Sequence, residues 1–168
     1  MAVSSVWHKE KGLYDIFELR ELLPSKYSIT IVGLSAKQMG QLPSGIIGIE
    51  RTQNVQELVQ LYSDADVLIN PTYADTFPTV NLEALACGTP VITYRTGGSP
   101  EAVSSETGIV VEQGDIEGIA SIVKSLELRD KSEVVAQRRA CRKRAEELFD
   151  KDKCFEKYVE LYEELINK

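Results

Sequence analysis

Six short apolar runs alternate along this chain with longer stretches of helical spacing. The runs cover 2–7, 27–32, 45–49, 66–70, 90–93 and 107–111, and apart from a few Ser, Thr, Asp and Asn they read as continuous apolar stretches. Strands of that kind belong in a parallel sheet covered on both faces. Between them, 12–23 carries Leu13, Ile16, Phe17, Leu19 and Leu23 near helical spacing and is stopped by Pro24. Further helices are expected over 36–42, 56–63 (Leu58, Val59 and Tyr62 as the apolar side), 78–87 and 115–128, the last capped by Asp115. Two more, 132–149 and 152–167, close the chain without a strand between them. The expected fold class is α/β: a Rossmann-like doubly wound parallel sheet with helices on both faces and extra C-terminal helices. Residues 1–168 read as one domain, and a first strand with no lead-in suits a domain boundary or a piece of a longer protein.

Ligands of an open parallel sheet bind outside the carboxyl ends of its strands. The polar and glycine-rich segments fall there repeatedly: 8–11 after the first run, 33–35 after the second, 50–54 after the third, 72–79 after the fourth and 95–99 after the fifth.

Among these, Asp75 to Glu101 reads most clearly as a site. Pro78 suits a helix start and Gly88 suits the position past its end. The first-turn amides of Thr79, Val80 and Asn81 then lack partners within the helix and, with the macrodipole, offer an anion site. Glu83 lies one turn further on the face of Thr79 and leans back toward that site. Its neighbours Leu82, Ala84, Leu85 and Ala86 make it look buried, and a carboxylate is rarely left unpaired in such company. Asp75 stands eight residues before Glu83 in the loop that feeds the helix. Two carboxylates flanking a phosphate-sized anion site suit a ligand with both hydroxyls and phosphates, as a sugar nucleotide has. The plainer reading, that Asp75 only complements the positive helix end, stands beside it. Lys11, Arg51 and Thr52 fall in the strand-end loops as further candidates. His8 is the sole histidine, and Trp7 fits core or cleft wall better than a nucleobase platform.

The net charge of −7 and a pI near 4.9 argue against a nucleic-acid partner, because a phosphate backbone demands basic surface. No apolar run is long enough to span a membrane. Cys87, Cys141 and Cys154 are odd in number and lack metal spacing, which fits reduced thiols and a cytoplasmic setting.

The run Glu83-Ala84-Leu85-Ala86-Cys87-Gly88-Thr89-Pro90-Val91, with Asp75 and Phe77 before it, resembles the donor-binding signature of retaining GT-B glycosyltransferases, especially family 4. The chain departs from that pattern at Asp75, where the family has Glu, and at Pro78, where it has Gly. Lys11-Gly12 resembles the family's Lys-Gly, while Val6 stands where an arginine is frequent. The resemblance implies the second, donor-binding half of such an enzyme, with a nucleoside-diphosphate sugar as donor. Glu83 would bond the ribose hydroxyls, Asp75 would orient the donor sugar, and Arg51 and Thr52 would lie near base and ribose. Lys11 and the amides of Thr79 to Asn81 would stabilise the diphosphate leaving group. No metal and no other cofactor is implied. The acceptor, a sugar or lipid-linked sugar of polysaccharide or glycolipid synthesis, would bind an N-terminal domain absent from this chain, so little or no transfer is expected of the chain alone. The segment 153–167 would cross back onto that domain, and peripheral membrane contact of the full-length enzyme stays open.

Three other readings compete. A GT-B-fold sugar-nucleotide 2-epimerase needs catalytic acids and a histidine that the chain does not place. A non-catalytic nucleotide-sugar-binding module would keep the site without the chemistry. A Rossmann-like domain unrelated to sugars is disfavoured, because the first strand–helix loop lacks G-x-G-x-x-G and no Walker A loop is present.

Overall fold

The computed structural model describes residues 1–167; Lys168, the last residue of the expected domain, lies outside the described residues. Strands β1 (Ala2–Val3), β2 (Ile29–Val32) and β3 (Ile46–Ile49) form one parallel sheet, and β4 (Leu68–Asn70), β5 (Val91–Tyr94) and β6 (Gly108–Val111) form another. The two meet where Met1 pairs with the start of β4, its N–H donating to Val67 O and its carbonyl accepting from Ile69 N, each at 2.8 Å. Across the molecule the strands therefore run β3-β2-β1-β4-β5-β6. The crossover direction reverses between β1 and β4, which makes their carboxyl ends the topological switch point.

Helices α1 (Leu13–Leu22), α2 (Ala36–Met39), α3 (Val55–Asp64), α4 (Thr79–Ala86), α5 (Ser99–Ala102), α6 (Ile116–Ser125), α7 (Lys131–Leu148) and α8 (Lys151–Ile166) connect and flank the strands. Neighbouring strand residues go to opposite faces. Ile69 and Ile92 join the cluster containing Leu13, Ile16 and Leu19 of α1 and Ile119 and Val123 of α6. Leu68 and Val91 join Tyr62 of α3, Leu85 of α4 and Cys141 of α7. The central runs thus have the physical cause expected of them, a core on each side of the sheet, while Ile47 and Ile109 of the edge strands are exposed.

Several expectations need correction. The first strand stops at Val3 rather than at residue 7. Ser4 Oγ donates to Val6 O at 2.8 Å and the chain bends away, leaving Trp7 as a core residue whose indole N–H donates to Val32 O at 2.8 Å. Lys9–Lys11 is a 3-10 turn rather than an irregular polar loop, and the short helix α5 starts directly after Gly98, where no helix was expected. The Ser99–Ala102 segment carries too little periodicity to be read as a helix from sequence. Val59, expected on the apolar side of α3, is exposed.

Arg20 of α1 is buried, and its guanidinium donates to the carbonyls of Tyr27, Leu23 and Pro24, locking the turn between α1 and β2. At the other end, α7 packs on α4 through Cys141 and Ala145. In contrast α8 buries none of its residues and exposes Phe155, Tyr158, Val159, Tyr162, Leu165 and Ile166. Among the described residues no helix is long and apolar enough to cross a membrane.

Candidate nucleotide-binding cleft

The loops that leave β1 and β4 face each other across the switch point. Tyr73 N donates to Glu10 O at 2.7 Å and Thr72 Oγ1 donates to the same oxygen at 3.2 Å. These bonds dock the loop after β4 on the 3-10 turn after β1. They also bring Lys11 and Asp75, 64 positions apart in sequence, into direct contact: Lys11 Nζ donates to Asp75 Oδ2 at 2.6 Å. The other carboxylate oxygen accepts from Phe77 N at 3.1 Å. Asp75 is therefore held at both oxygens. Lys11 has three N–H donors and, among the described residues, gives one to Asp75, which leaves two to meet a further anion.

From the opposite side, the loop after β5 closes over the same segment. Gly98 N donates to Thr76 O at 2.8 Å. Gly97, at φ +45°, lies so near that a Cβ there would sit 1.9 Å from the Asp75 carbonyl oxygen. Further down, Tyr73 and Tyr94 both donate to Asp15 Oδ2 at 2.6 Å, and their rings meet edge to face at 5.2 Å. The candidate loop is thus anchored to α1 and β5 as well.

A cleft of about 220 Å³ opens above these contacts, and Ser4, Lys11, Asn70, Asp75, Thr79 and Val80 are among the residues that line it. Pro78 is the N-cap of α4 and makes no side-chain cap, so Thr79 is the first helical residue. Among the described residues the amides of Thr79 and Val80 find no partner. Asn81 differs from expectation: its amide donates to Pro78 O at 3.1 Å, and its side chain is buried against Asn70. The free first-turn amides are therefore two, and Asn81 serves as support beneath the cleft floor. Its Nδ2 has no partner among the described residues.

Arg51 and Thr52 line a second opening of about 550 Å³ at the start of α3, with Gln53, Asn54, Val55 and Leu58. Asn54 caps α3 by accepting from Glu57 N at 2.8 Å. Val80 of the first cleft and Leu58 of the second pack against one apolar cluster. Glu83 lines neither opening and is exposed, contrary to the buried position its neighbours suggest. Ala84 and Leu85 turn into the core while Glu83 turns toward α3, where Tyr62 Oη donates to its Oε2 at 2.9 Å.

Sequence reasoning missed Tyr62, Asn70 and the Asp15–Tyr73–Tyr94 set. Asn70 carried a usable signal, a polar residue ending an otherwise apolar strand. The others are long-range pairings with no local signature. His8 is exposed and contacts Glu10 at 3.1 Å, away from the cleft lining. Among the described residues no group of three or more His, Cys, Asp or Glu is arranged to hold a metal ion.

A third cleft, about 490 Å³ and so larger than the first though not the second, lies at the opposite edge, by the amino ends of β2 and β4. Its cations are paired, as Lys11 is, but Asp64, Asp66 and Glu127 add negative charge to its lining. Lys26 pairs with Glu127 at 2.5 Å, Arg138 donates to the carbonyls of Ser63 and Ala65 at 2.8 Å, and Arg129 donates to Gln137. Size alone does not make it the better anion site.

A family model described as "Glycosyl transferases group 1" matches residues 1–127. A D-inositol 3-phosphate glycosyltransferase of Saccharomonospora viridis is 42% identical over 89 residues, 52% of this chain and 21% of that protein. The capsular polysaccharide biosynthesis glycosyltransferase CapM of Staphylococcus aureus is 27% identical over 164 residues, 92% of this chain and 43% of that protein. The chain spans less than half the length of these relatives. Among solved structures, a sucrose-phosphate synthase from Thermosynechococcus elongatus superposes with a TM-score of 0.83 at 22% identity, covering 99% of this chain and 45% of that one. Anabaena HepE in complex with UDP gives 0.82 at 20% identity, covering 97% and 48%. At such identities the superpositions speak for the fold.

Proposed function

The chain belongs to the family of glycosyl transferases group 1, and on that footing we propose that it is the donor-binding half of a retaining, metal-independent glycosyltransferase. The donor is a nucleoside-diphosphate sugar. The observation that carries this reading is the cleft at the switch point, where Lys11, Asp75 and the free amides of Thr79 and Val80 converge.

Lys11 and the two amides would bind the diphosphate and stabilise the charge that builds on it as the sugar leaves. Fixed donors aimed at developing charge lower the barrier most when they need not reorganise. Asp75, clamped at both oxygens, would orient the sugar through its hydroxyls. Arg51 and Thr52 would border the nucleobase and ribose, and the exposed carboxylate of Glu83 would accept from the ribose hydroxyls. The acceptor, in polysaccharide or glycolipid synthesis, would bind the remainder of a protein about twice as long, as the coverage of the relatives suggests. The unburied apolar face of α8 supports the expectation that this helix packs on that remainder. HepE has been solved with UDP and UDP-glucose, which makes a uridine nucleotide the first ligand to try.

Calorimetric titration with UDP, GDP and ADP tests this. Saturable binding of one of them is expected, weakened about tenfold or more in Glu83→Ala through loss of charge-assisted hydrogen bonds. Absence of binding, or indifference to the substitution, would count against the reading.

A further inference from the structure

Glu83 is exposed, yet one of its oxygens is already taken. Tyr62 of α3 is 1% exposed and sends its hydroxyl out of the core to Glu83 Oε2 at 2.9 Å. A phenylalanine would fill the same apolar space among Leu68, Ala84, Leu85 and Cys141. The hydroxyl is thus the part that packing does not explain. Burial holds the ring, and the backbone is fixed as well, since Thr89 Oγ1 donates to Tyr62 O at 2.5 Å. The phenol stays protonated, because burial and, after it, the nearby Glu83 charge push its pKa well above the usual tyrosine range. It is a permanent donor.

The bond also has a telling place in the fold. Helix α3 starts beside Arg51 and Thr52, and α4 starts at the free amides of Thr79 and Val80. Among the described residues, Tyr62 to Glu83 is the one side-chain hydrogen bond between these two helices, and Tyr62 is the one donor to the Glu83 carboxylate. A glutamate otherwise loses much rotamer freedom when it engages a ligand. Holding Oε2 in advance removes part of that cost and leaves Oε1 presented in one orientation.

We propose that Tyr62 is a positioning residue: it fixes the Glu83 carboxylate so that it accepts from a ribose hydroxyl pair and distinguishes ribonucleotides from their 2′-deoxy counterparts. This rests on the reading of Glu83 given under Proposed function. A carboxylate set for two neighbouring hydroxyls loses one bond when the 2′ hydroxyl is missing, whereas a mobile one can re-aim.

The test is calorimetric titration of the unaltered chain, Tyr62→Phe and Glu83→Ala with UDP, GDP and ADP and the 2′-deoxy form of each. Thermal midpoints are measured in parallel. The unaltered chain should prefer the ribo form of its nucleotide by about tenfold. In Tyr62→Phe that preference should fall to about threefold or less, with a cooperative thermal transition retained, and in Glu83→Ala it should vanish. If Glu83→Ala abolishes the preference while Tyr62→Phe keeps it, the positioning role is wrong and the ribose contact of Glu83 stands. Equal weakening of both sugar forms in Tyr62→Phe indicates a structural role and also overturns the proposal. If the unaltered chain shows no preference, or binds none of the three, the reading beneath the proposal fails and the proposal fails with it.

Discussion

Lys11→Met should weaken nucleoside-diphosphate binding by about 30- to 100-fold, the largest loss expected from any single cleft side chain. Two effects act together. The charge-assisted bonds from Lys11 to phosphate disappear, and the Asp75 carboxylate loses the cation that holds it at 2.6 Å. An uncompensated carboxylate then stands beside the phosphates. Asp75→Asn removes that repulsion while Lys11 remains, so its effect on diphosphate affinity should stay within about threefold. The double substitution should bind better than Lys11→Met alone, by about fivefold, because the repelling charge is gone. Calorimetry on the four proteins gives the coupling directly. Additive effects would mean that the ion pair and the diphosphate do not share Lys11.

The second large effect concerns backbone. Gly97→Val should destabilise the fold by about 2–3 kcal/mol and cost at least about tenfold in diphosphate affinity. At φ +45° any side chain is strained, and its Cβ would overlap the Asp75 carbonyl oxygen. Two backbones cannot be relieved by a rotamer change, so the segment 75–77 must move and carry Asp75 with it. Gly114→Ala separates strain from collision. It shares the left-handed geometry, at φ +80°, but the nearest atom a Cβ would meet is Tyr73 Oη at 3.6 Å. That variant should lose about 1–2 kcal/mol of stability and bind nearly normally. Thermal unfolding and titration of both variants decide the matter; equal binding loss in the two would show that position 97 does not control the Asp75 loop.

The parallel α/β architecture was legible in the sequence because strands buried on both sides have no polar face to hide. Pro24, Asp115 and Gly88 mark element ends by local chemistry that any chain would obey. The loops bearing Lys11 and Asp75 could be assigned to strand carboxyl ends for the same reason. Their meeting could not, since it depends on β1 and β4 being neighbours, and strand order is decided by packing of the whole chain. Glu83 was misread as buried because sequence neighbours on a helix point in different directions. Leu85 reaches the core, while Glu83 turns to α3. Asn81 was read as a free amide, but the first turn of α4 tightens onto Pro78 O and uses it. Tyr62 looked like plain apolar lining, and only the fold shows where its hydroxyl goes.

The most direct test of where the ligand binds is a two-dimensional NMR titration of the isotope-labelled chain with UDP. The expected result is that amide shifts concentrate at Lys11, Asp75, Phe77, Thr79 and Val80, with a second group at Arg51 and Thr52, around the switch point. Shifts concentrated instead at Lys26, Tyr27, Glu127, Arg129 and Arg138, around the cleft by the amino ends of β2 and β4, would contradict it.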